Sequence, residues 1–361
     1  MSDSTEYTAG LPSVLEKIYY EPGYLLSLMD ADGYRPPIYM VEGNRTAGKT
    51  YGCKRVVVRD YLHRGAKFII LERRANMIKN AADYFIKDLQ ENDREIGKLD
   101  MTQKPLFNGL LQELFFDGKS CGYVVPMNRR DLCKKASSMF VDVQNIFLDE
   151  FQSESLQYAP DEFGAFSSIL GSVSRGGGKQ SRYVRTIMCS NSVSIFNPYY
   201  EALGIDAMIN KRQKIYRGRG WVLERTYNEH AAKAYAEAHK YETEENLKYA
   251  CSNDYLLDKS AFVEKLKGQK RIVCVIRRHK KLFGVWMCND GRLYVSQKYD
   301  PGFAMRITLN AEDHDVGDML VDKGHAFYRI LFSAYMEGRM VFDSQASREA
   351  YIRCVAKLQK L

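Results

Sequence analysis

The sequence predicts a two-domain α/β protein whose first domain is built around a phosphate-binding loop. Three observations predict it. Gly43-Asn44-Arg45-Thr46-Ala47-Gly48-Lys49-Thr50 fits G-x-x-x-x-G-K-[ST] without a mismatch. An apolar, β-branched run at 37–41 precedes it and a helical stretch at 51–62 follows it, which is the strand–loop–helix context the motif requires. Further on, Asn145-Ile146-Phe147-Leu148 reads as a short apolar strand ending in Asp149-Glu150.

The loop comes first because its physics is direct. Glycines let the backbone curl so that successive N–H groups face one concavity, and the next helix adds the positive end of its dipole there. All eight residues from Gly43 to Thr50 are expected to cradle the phosphates of ATP. Lys49 would reach the β- and γ-phosphates, and the Thr50 hydroxyl would bind Mg2+. A chance match on a glycine turn is the alternative, and the flanks weigh against it.

Composition sets the bounds. A chain of 361 residues suggests about two domains. Its apolar content of 45% and charged content of 27% are those of an ordinary globular protein. A net charge of +8 favours a polyanionic partner, although basic proteins that meet no nucleic acid are as common. Residues 1–10 lack the basic-then-apolar order of a secretion signal, and no apolar run has membrane-spanning length, so no membrane association is expected. The eight cysteines form no C-x-x-C pair and read as reduced core residues of a cytosolic protein. The six histidines show no ligand spacing.

In chain order, residues 11–29 read as one or two short helices. Tyr20, Tyr24 and Leu25 either wall an adenine pocket or pack on the sheet edge. Residues 67–72 form a second strand. Arg73 and Arg74 follow it and either face the ligand crevice or sit solvated at a helix start. Residues 76–92 read as a helix. Residues 114–117 and 122–126 form a hairpin about Asp117-Gly118. Asp149 would then hold the Mg2+ shell. Glu150 would orient the attacking water and accept its proton. Residues 161–173 read as a helix, 174–182 as a basic glycine-rich loop, and 183–189 as a strand ending in the polar Ser190-Asn191-Ser192.

Three segments together resemble the DNA-packaging ATPases of φ29-like phages. They are the loop ending in Gly48-Lys49-Thr50, Ile146 to Phe151, and Cys189-Ser190-Asn191-Ser192-Val193-Ser194-Ile195-Phe196-Asn197-Pro198-Tyr199-Tyr200. The last is the most specific. Weaker echoes are Phe283-Gly284-Val285-Trp286, Tyr299-Asp300-Pro301 and Ser333-Ala334-Tyr335-Met336 with Phe342-Asp343. The resemblance implies an additional-strand, catalytic-glutamate fold with the sensor strand between the loop strand and the Asp149 strand. That would set Asn191 beside the γ-phosphate. It implies a homomeric ring, expected to be a pentamer, on a procapsid portal, driving double-stranded DNA inward in the host cytoplasm. Some members use a structural RNA, and the residues do not say whether this chain does. The family's trans-acting arginine maps to Arg175 by position, with Arg182 as contender. Its trans-acting lysine maps to Lys135, beside Lys134.

The expected domains are an ATPase domain at 1–208, a basic and helical linker at 209–254, and an RNase H-like α/β domain at 255–361. The charge-dense stretch 209–220 either binds phosphate or is a solvated exit from the first domain. Residues 225–254 favour helix. Strands at 271–276, 282–288 and 292–296 meet at a basic turn, 277–281, and at Asn289-Asp290-Gly291. Helices follow at 325–338 and 347–360. The first of these strands carries no carboxylate, so a non-catalytic role is expected, with the basic turn touching DNA or portal or merely solvated. Two other classes fit the same motifs. A nucleotide-binding assembly module would need no base at Glu150, and a helicase-like ATPase would require single strands.

Overall fold

The computed structural model describes residues 19–351 except 156, 160, 176–179, 196, 210–212, 252–267, 279–280, 310, 323, 338, 345 and 349. The expected helices at 11–18 and 352–360 therefore lie outside the described residues. The chain divides into two units, Met1–Leu257 and Asp258–Leu361.

The first unit holds a nine-stranded sheet, β1 (Ile38–Gly43) to β9 (Trp221–Thr226), in the order β3-β4-β5-β2-β6-β7-β1-β9-β8. Here β2 is Lys67–Glu72, β3 Met101–Leu106, β4 Leu111–Phe116, β5 Lys119–Pro126, β6 Val143–Asp149, β7 Arg185–Asn191 and β8 Ile215–Gly218. The strands from β5 through β9 in that order run parallel, and β3, β4 and β8 pair antiparallel at the two edges. A parallel sheet is covered on both faces, which is why its strands are apolar without alternation. All six residues of β1 are buried.

Two cores follow from the pleat. Met40, Ile69, Ile146 and Met188 face one core, and Tyr39, Phe68, Phe147 and Ile187 face the other. The second core is roofed by α2 (Lys49–Arg64) and α3 (Ala81–Asn92), which follow the small α1 (Gly23–Ser27). The first is roofed by α4 (Arg130–Lys135), α5 (Glu162–Val173) and α6 (Pro198–Leu203). Cys53, Cys121, Cys133, Cys189, Cys274 and Cys288 are buried free thiols, as a reduced core requires. No helix among the described residues is long and apolar enough to cross a membrane.

The Asn197-Pro198-Tyr199-Tyr200 motif has a local explanation. Asn197 caps α6, its Oδ1 accepting from Tyr199 N at 3.1 Å and Tyr200 N at 3.0 Å, while its amide donates to Ser194 O at 3.0 Å. Pro198 takes the first helical position, where its missing N–H costs nothing. Gly204 ends the helix in the left-handed conformation. The cap aims both tyrosines into the core, where they are fully buried.

The expected linker at 209–254 is corrected. Its strands β8 and β9 extend the first sheet on the free side of β1, with Ile38 to Gly43 in register with Trp221 to Thr226. The charge run that suggested a solvated exit alternates with Ile215 and Tyr216 and turns through Gly220, so it makes a hairpin. Helix begins only after Asn228, whose side chain accepts from Ala231 N, giving α7 (Glu229–Ala238) and then α8 (Glu244–Cys251). Lys211 and Arg212 lie outside the described residues. Strand β3 was not expected. It pairs with β4 across the outer edge.

The second unit has a six-stranded sheet in the order β14-β13-β10-β11-β12-β15. The strands are β10 (Lys270–Arg278), β11 (Lys281–Cys288), β12 (Leu293–Ser296), β13 (Arg306–Thr308), β14 (Met319–Leu320) and β15 (Met340–Phe342). The first strand lies centrally, with an antiparallel meander on one side and parallel strands on the other, the RNase H-like arrangement. One parallel strand, β15, is added beyond the meander. Helix α9 (Ala326–Met336) packs Tyr328, Leu331 and Ala334 on this core. Asn289-Asp290-Gly291 forms the turn, with Gly291 in the left-handed region. The basic turn is shorter than expected, since Arg277 and Arg278 finish β10 and Lys281 opens β11. Arg277 pairs with Asp318 and, at 3.1 Å, with Asp315, so it does not serve as a solvated basic tip.

Asn197→Ala removes a buried cap together with its bonds to Tyr199 N, Tyr200 N and Ser194 O. The expected loss is about 1–2 kcal/mol, read as a lower melting temperature of the full chain. An unchanged melting curve would mean that the motif is not held by its cap.

Candidate active site

The phosphate loop leaves β1 at Gly43 and enters α2 at Lys49. Gly43 and Gly48 are required on different grounds. A Cβ at Gly43 would collide with the Thr226 carbonyl on β9, and Gly48 sits at φ 80° beneath the Tyr19 ring. Thr46 is also left-handed, at φ 58°. Lys49 is buried, and its Nζ donates to Gly43 O at 3.1 Å, Asn44 O at 2.6 Å and Asn191 Oδ1 at 3.3 Å. Loss of water pulls its pKa down to about 8, against the pull of nearby acidic groups such as Asp149. Ala47 O accepts from Tyr20 N at 2.9 Å. Tyr20 is buried with its hydroxyl on Glu224 at 2.6 Å, and Leu25 is buried too, whereas Tyr24 is exposed. This segment packs against β1 and β9, and Tyr19 is the ring that reaches the loop.

The other side of the loop is backed by the α7–α8 hairpin. Asn44 makes paired bonds with the Asn228 backbone, at 3.0 and 2.9 Å, and Arg45 N donates to Ala250 O at 3.2 Å. No local motif signals this docking.

The Asp149–Glu150 corner sits next to the loop. Asp149 Oδ1 accepts from Thr50 Oγ1 at 3.0 Å, Glu150 N at 2.9 Å and the Cys189 thiol at 3.1 Å. Thr50 and Asp149 thus present hard oxygen donors side by side, the donor set Mg2+ takes. Glu150 is at φ 51°, a left-handed conformation that costs a non-glycine residue on the order of 1–3 kcal/mol. Arg73 holds it there. Its Nη2 donates to the carbonyls of Glu150 at 2.6 Å and Phe151 at 3.0 Å, and its Nε to Glu162 at 3.0 and 3.1 Å. Arg73, read in sequence as a phosphate contact or a solvated residue, is a clamp on this corner. Arg74 donates to Gln157 at 2.9 Å. Partial loss of water, then the carboxylates of Asp149 and Glu154, raise the Glu150 pKa above its ordinary range. Glu72, at the end of β2, is pushed up to about 7 by burial and by Asp149. Both acids line a cavity of about 470 Å³ with Lys54, Arg73, Tyr84 and Asp149.

Asn191 ends β7 directly opposite Gly43, between the loop strand and the Asp149 strand. Behind it lies a buried network that sequence reading missed. Glu42 is fully buried and accepts from Arg225 Nε at 2.7 Å, Tyr200 OH at 2.7 Å and Gln152 Nε2 at 2.6 Å. Gln152 Oε1 accepts in turn from Val193 N and Ser194 N, both at 2.9 Å. Glu42, Gln152, Tyr200, Val193 and Ser194 lie within or next to motifs already singled out, and that adjacency was the available signal, whereas Arg225 carried none.

The structure separates the candidate trans-acting residues. Arg182 is tied to its own chain through the carbonyls of Val143, Phe140 and Val173. Arg185 pairs with Asp60 and with Asn145 at 2.9 Å. Arg175 is exposed just past α5, and Lys135 is exposed at the end of α4. Helix α5 starts beside Arg73 and runs 12 residues, about 18 Å, so Arg175 is carried away from its own Glu150. Lys134 pairs with Asp131 at 3.7 Å. Gly176 to Gly178 lie outside the described residues.

A loop lysine, a hydroxyl beside an aspartate, an adjacent glutamate and an asparagine on the lysine, all at the ends of parallel strands, define a phosphate-loop nucleotide-binding domain of the additional-strand kind. The chain belongs to the Podovirus DNA encapsidation protein (Gp16) family, whose model matches residues 15–359. The DNA packaging protein of Bacillus phage phi29 is 25% identical over 351 residues, 95% of this chain and 99% of that protein. That of Bacillus phage B103 is 27% identical over 316 residues, 85% and 93%. The fold is similar to that of a chain in the bacteriophage Phi-29 viral genome packaging motor assembly, with a TM-score of 0.68 and 23% identity across 94% of this chain and 99% of that one. It is also similar to the Phi-28 gp11 DNA packaging motor, with a TM-score of 0.59 and 14% identity across 94% and 98%.

Arg225→Met breaks the buried Arg225–Glu42 ion pair, so stability should fall by about 3–5 kcal/mol. Glu42→Gln combined with Arg225→Met should recover part of that loss. Urea melts of both variants check this, and an Arg225→Met chain as stable as wild type would remove Glu42 as an organising charge.

Proposed function

We propose that the chain is an ATP-hydrolysing motor that drives double-stranded viral DNA into a procapsid. In this reading it acts on the portal in the host cytoplasm as a homomeric ring, taken to be a pentamer. The observation that carries the reading is the convergence of Lys49, Thr50, Asp149, Glu150 and Asn191 on one sheet edge, in a chain of the encapsidation family. Gly43 to Thr50 hold the phosphates through backbone N–H groups and Lys49. Thr50 and Asp149 are the residues that would hold Mg2+, which when bound neutralises phosphate charge. Glu150, kept close to the γ-phosphate by the Arg73 clamp, orients a water and takes its proton. Its raised pKa makes it the better base. Asn191 fixes the γ-phosphate. Arg175 and Lys135 serve the site of a neighbouring subunit. The RNase H-like unit contacts DNA or portal and cuts no DNA, since β10 runs Lys270 to Arg278 without a carboxylate. A structural RNA at the portal is compatible with this arrangement.

Lys49→Ala should abolish ATP binding. Glu150→Gln should bind ATP as wild type does and lose turnover, because an amide keeps the shape but takes no proton. Equilibrium binding and steady-state hydrolysis, with duplex, single-stranded and no DNA, separate the two effects. Turnover at the wild-type rate in Glu150→Gln would reject the base, and a requirement for single strands would reject the packaging motor.

Arg175→Ala should bind ATP and hydrolyse roughly 10³–10⁵ more slowly, the range for an inserted arginine. Mixed with Glu150→Gln subunits it should regain activity, because the arginine of one serves the intact Glu150 of the next. If no ratio restores turnover in demonstrably mixed rings, Arg175 does not act in trans.

A further inference from the structure

We propose that Glu154 competes with the terminal phosphate of ATP and so weakens the hold on a triphosphate relative to a diphosphate. Its carboxylate holds the donors that the terminal phosphate of ATP takes, so ATP displaces it and ADP leaves it in place. This rests on the nucleotide-binding reading above.

The geometry is specific. Arg45, the third residue of the phosphate loop, donates Nη2 to both Glu154 oxygens, each at 2.8 Å. Asn191 Nδ2 approaches Glu154 Oε1 at 3.4 Å, while the Oδ1 of the same amide accepts from Lys49 at 3.3 Å. One amide therefore separates Glu154 from the loop lysine. The carboxylate bridges two elements, the loop and the end of the sensor strand, that converge where a γ-phosphate would bind. Carboxylate and phosphate are oxyanions recognised by the same guanidinium donors. An incidental surface pair would have no reason to choose both elements at once.

The surroundings allow displacement. Phe151 and Gln152 are buried and fixed, with Phe151 N donating to Cys189 O at 3.3 Å. Glu154 lies two residues beyond, with its side chain 42% exposed. An exposed ion pair shifts an equilibrium by no more than about fivefold. A phosphate carrying more than one negative charge therefore outcompetes it. Once displaced, Glu154 no longer presents a like charge to Glu150.

Isothermal titration of the full chain with Mg2+ and either a non-hydrolysable ATP analogue or ADP tests the proposal. In Glu154→Ala the analogue should bind about two- to fivefold more tightly and ADP as in wild type. Glu154→Gln, which keeps the shape without the charge, should move the same way. Unchanged or weaker analogue binding in both variants overturns the proposal, and so does equal tightening for ADP. Matching melting temperatures exclude misfolding. A wild-type chain that binds neither nucleotide overturns the nucleotide-binding reading itself, a different result from a neutral Glu154.

Discussion

The structure depends on one buried charge. Glu42 is the last residue before the phosphate loop and is fully buried. A carboxylate taken out of water costs several kcal/mol unless donors surround it. Three of its donors come from distant parts of the chain: Arg225 on β9, Tyr200 on α6 and Gln152 just after the Asp149–Glu150 corner. The requirement fixes β9, the capped helix and the corner relative to Gly43. Gln152 passes the constraint to the backbone of Val193 and Ser194, which follow Asn191.

The site is then an outcome of sheet order. With β7 between β6 and β1, the ends of three parallel strands deliver Asp149, Asn191 and Gly43 side by side. Parallel strands all end their chain direction at one edge, so residues far apart in sequence meet there without any special packing. What remains is to aim Glu150, and this is done by a left-handed backbone that the chain would not adopt unaided. Arg73 stabilises it from the next strand, and the buried Glu162 holds Arg73 in turn.

How much of this was legible follows from where the information lies. Gly43 to Thr50 and Asp149-Glu150 were readable because phosphate and metal chemistry needs those residues at fixed local spacing. The turn at Asn289-Asp290-Gly291 was readable because its backbone conformation is local too. β3, β8 and β9 were not readable as sheet members, because their place depends on partners elsewhere in the chain. Trp221 to Thr226 carries Glu224 and Arg225, which look like surface charges until Tyr20 and Glu42 are found against them. Arg73 was noticed, but its role was hidden because carbonyl acceptors leave no mark in a sequence.

The arginines make the wider point. A net charge of +8 invites a search for a DNA-binding face. Yet Arg73, Arg182, Arg185, Arg225 and Arg277 all spend their donors on carbonyls or carboxylates of their own chain. The family resemblance placed the trans-acting arginine at Arg175 with Arg182 as contender, and packing sets the two apart. Arg182 stitches Phe140 and Val173 together, so removing it would damage the fold before any catalysis could be measured. Arg175 is exposed at the far end of a helix whose first turn carries Glu162, the residue that grips Arg73 beneath Glu150. One 12-residue helix therefore runs from Glu162, at the Arg73 clamp, to the turn that carries Arg175.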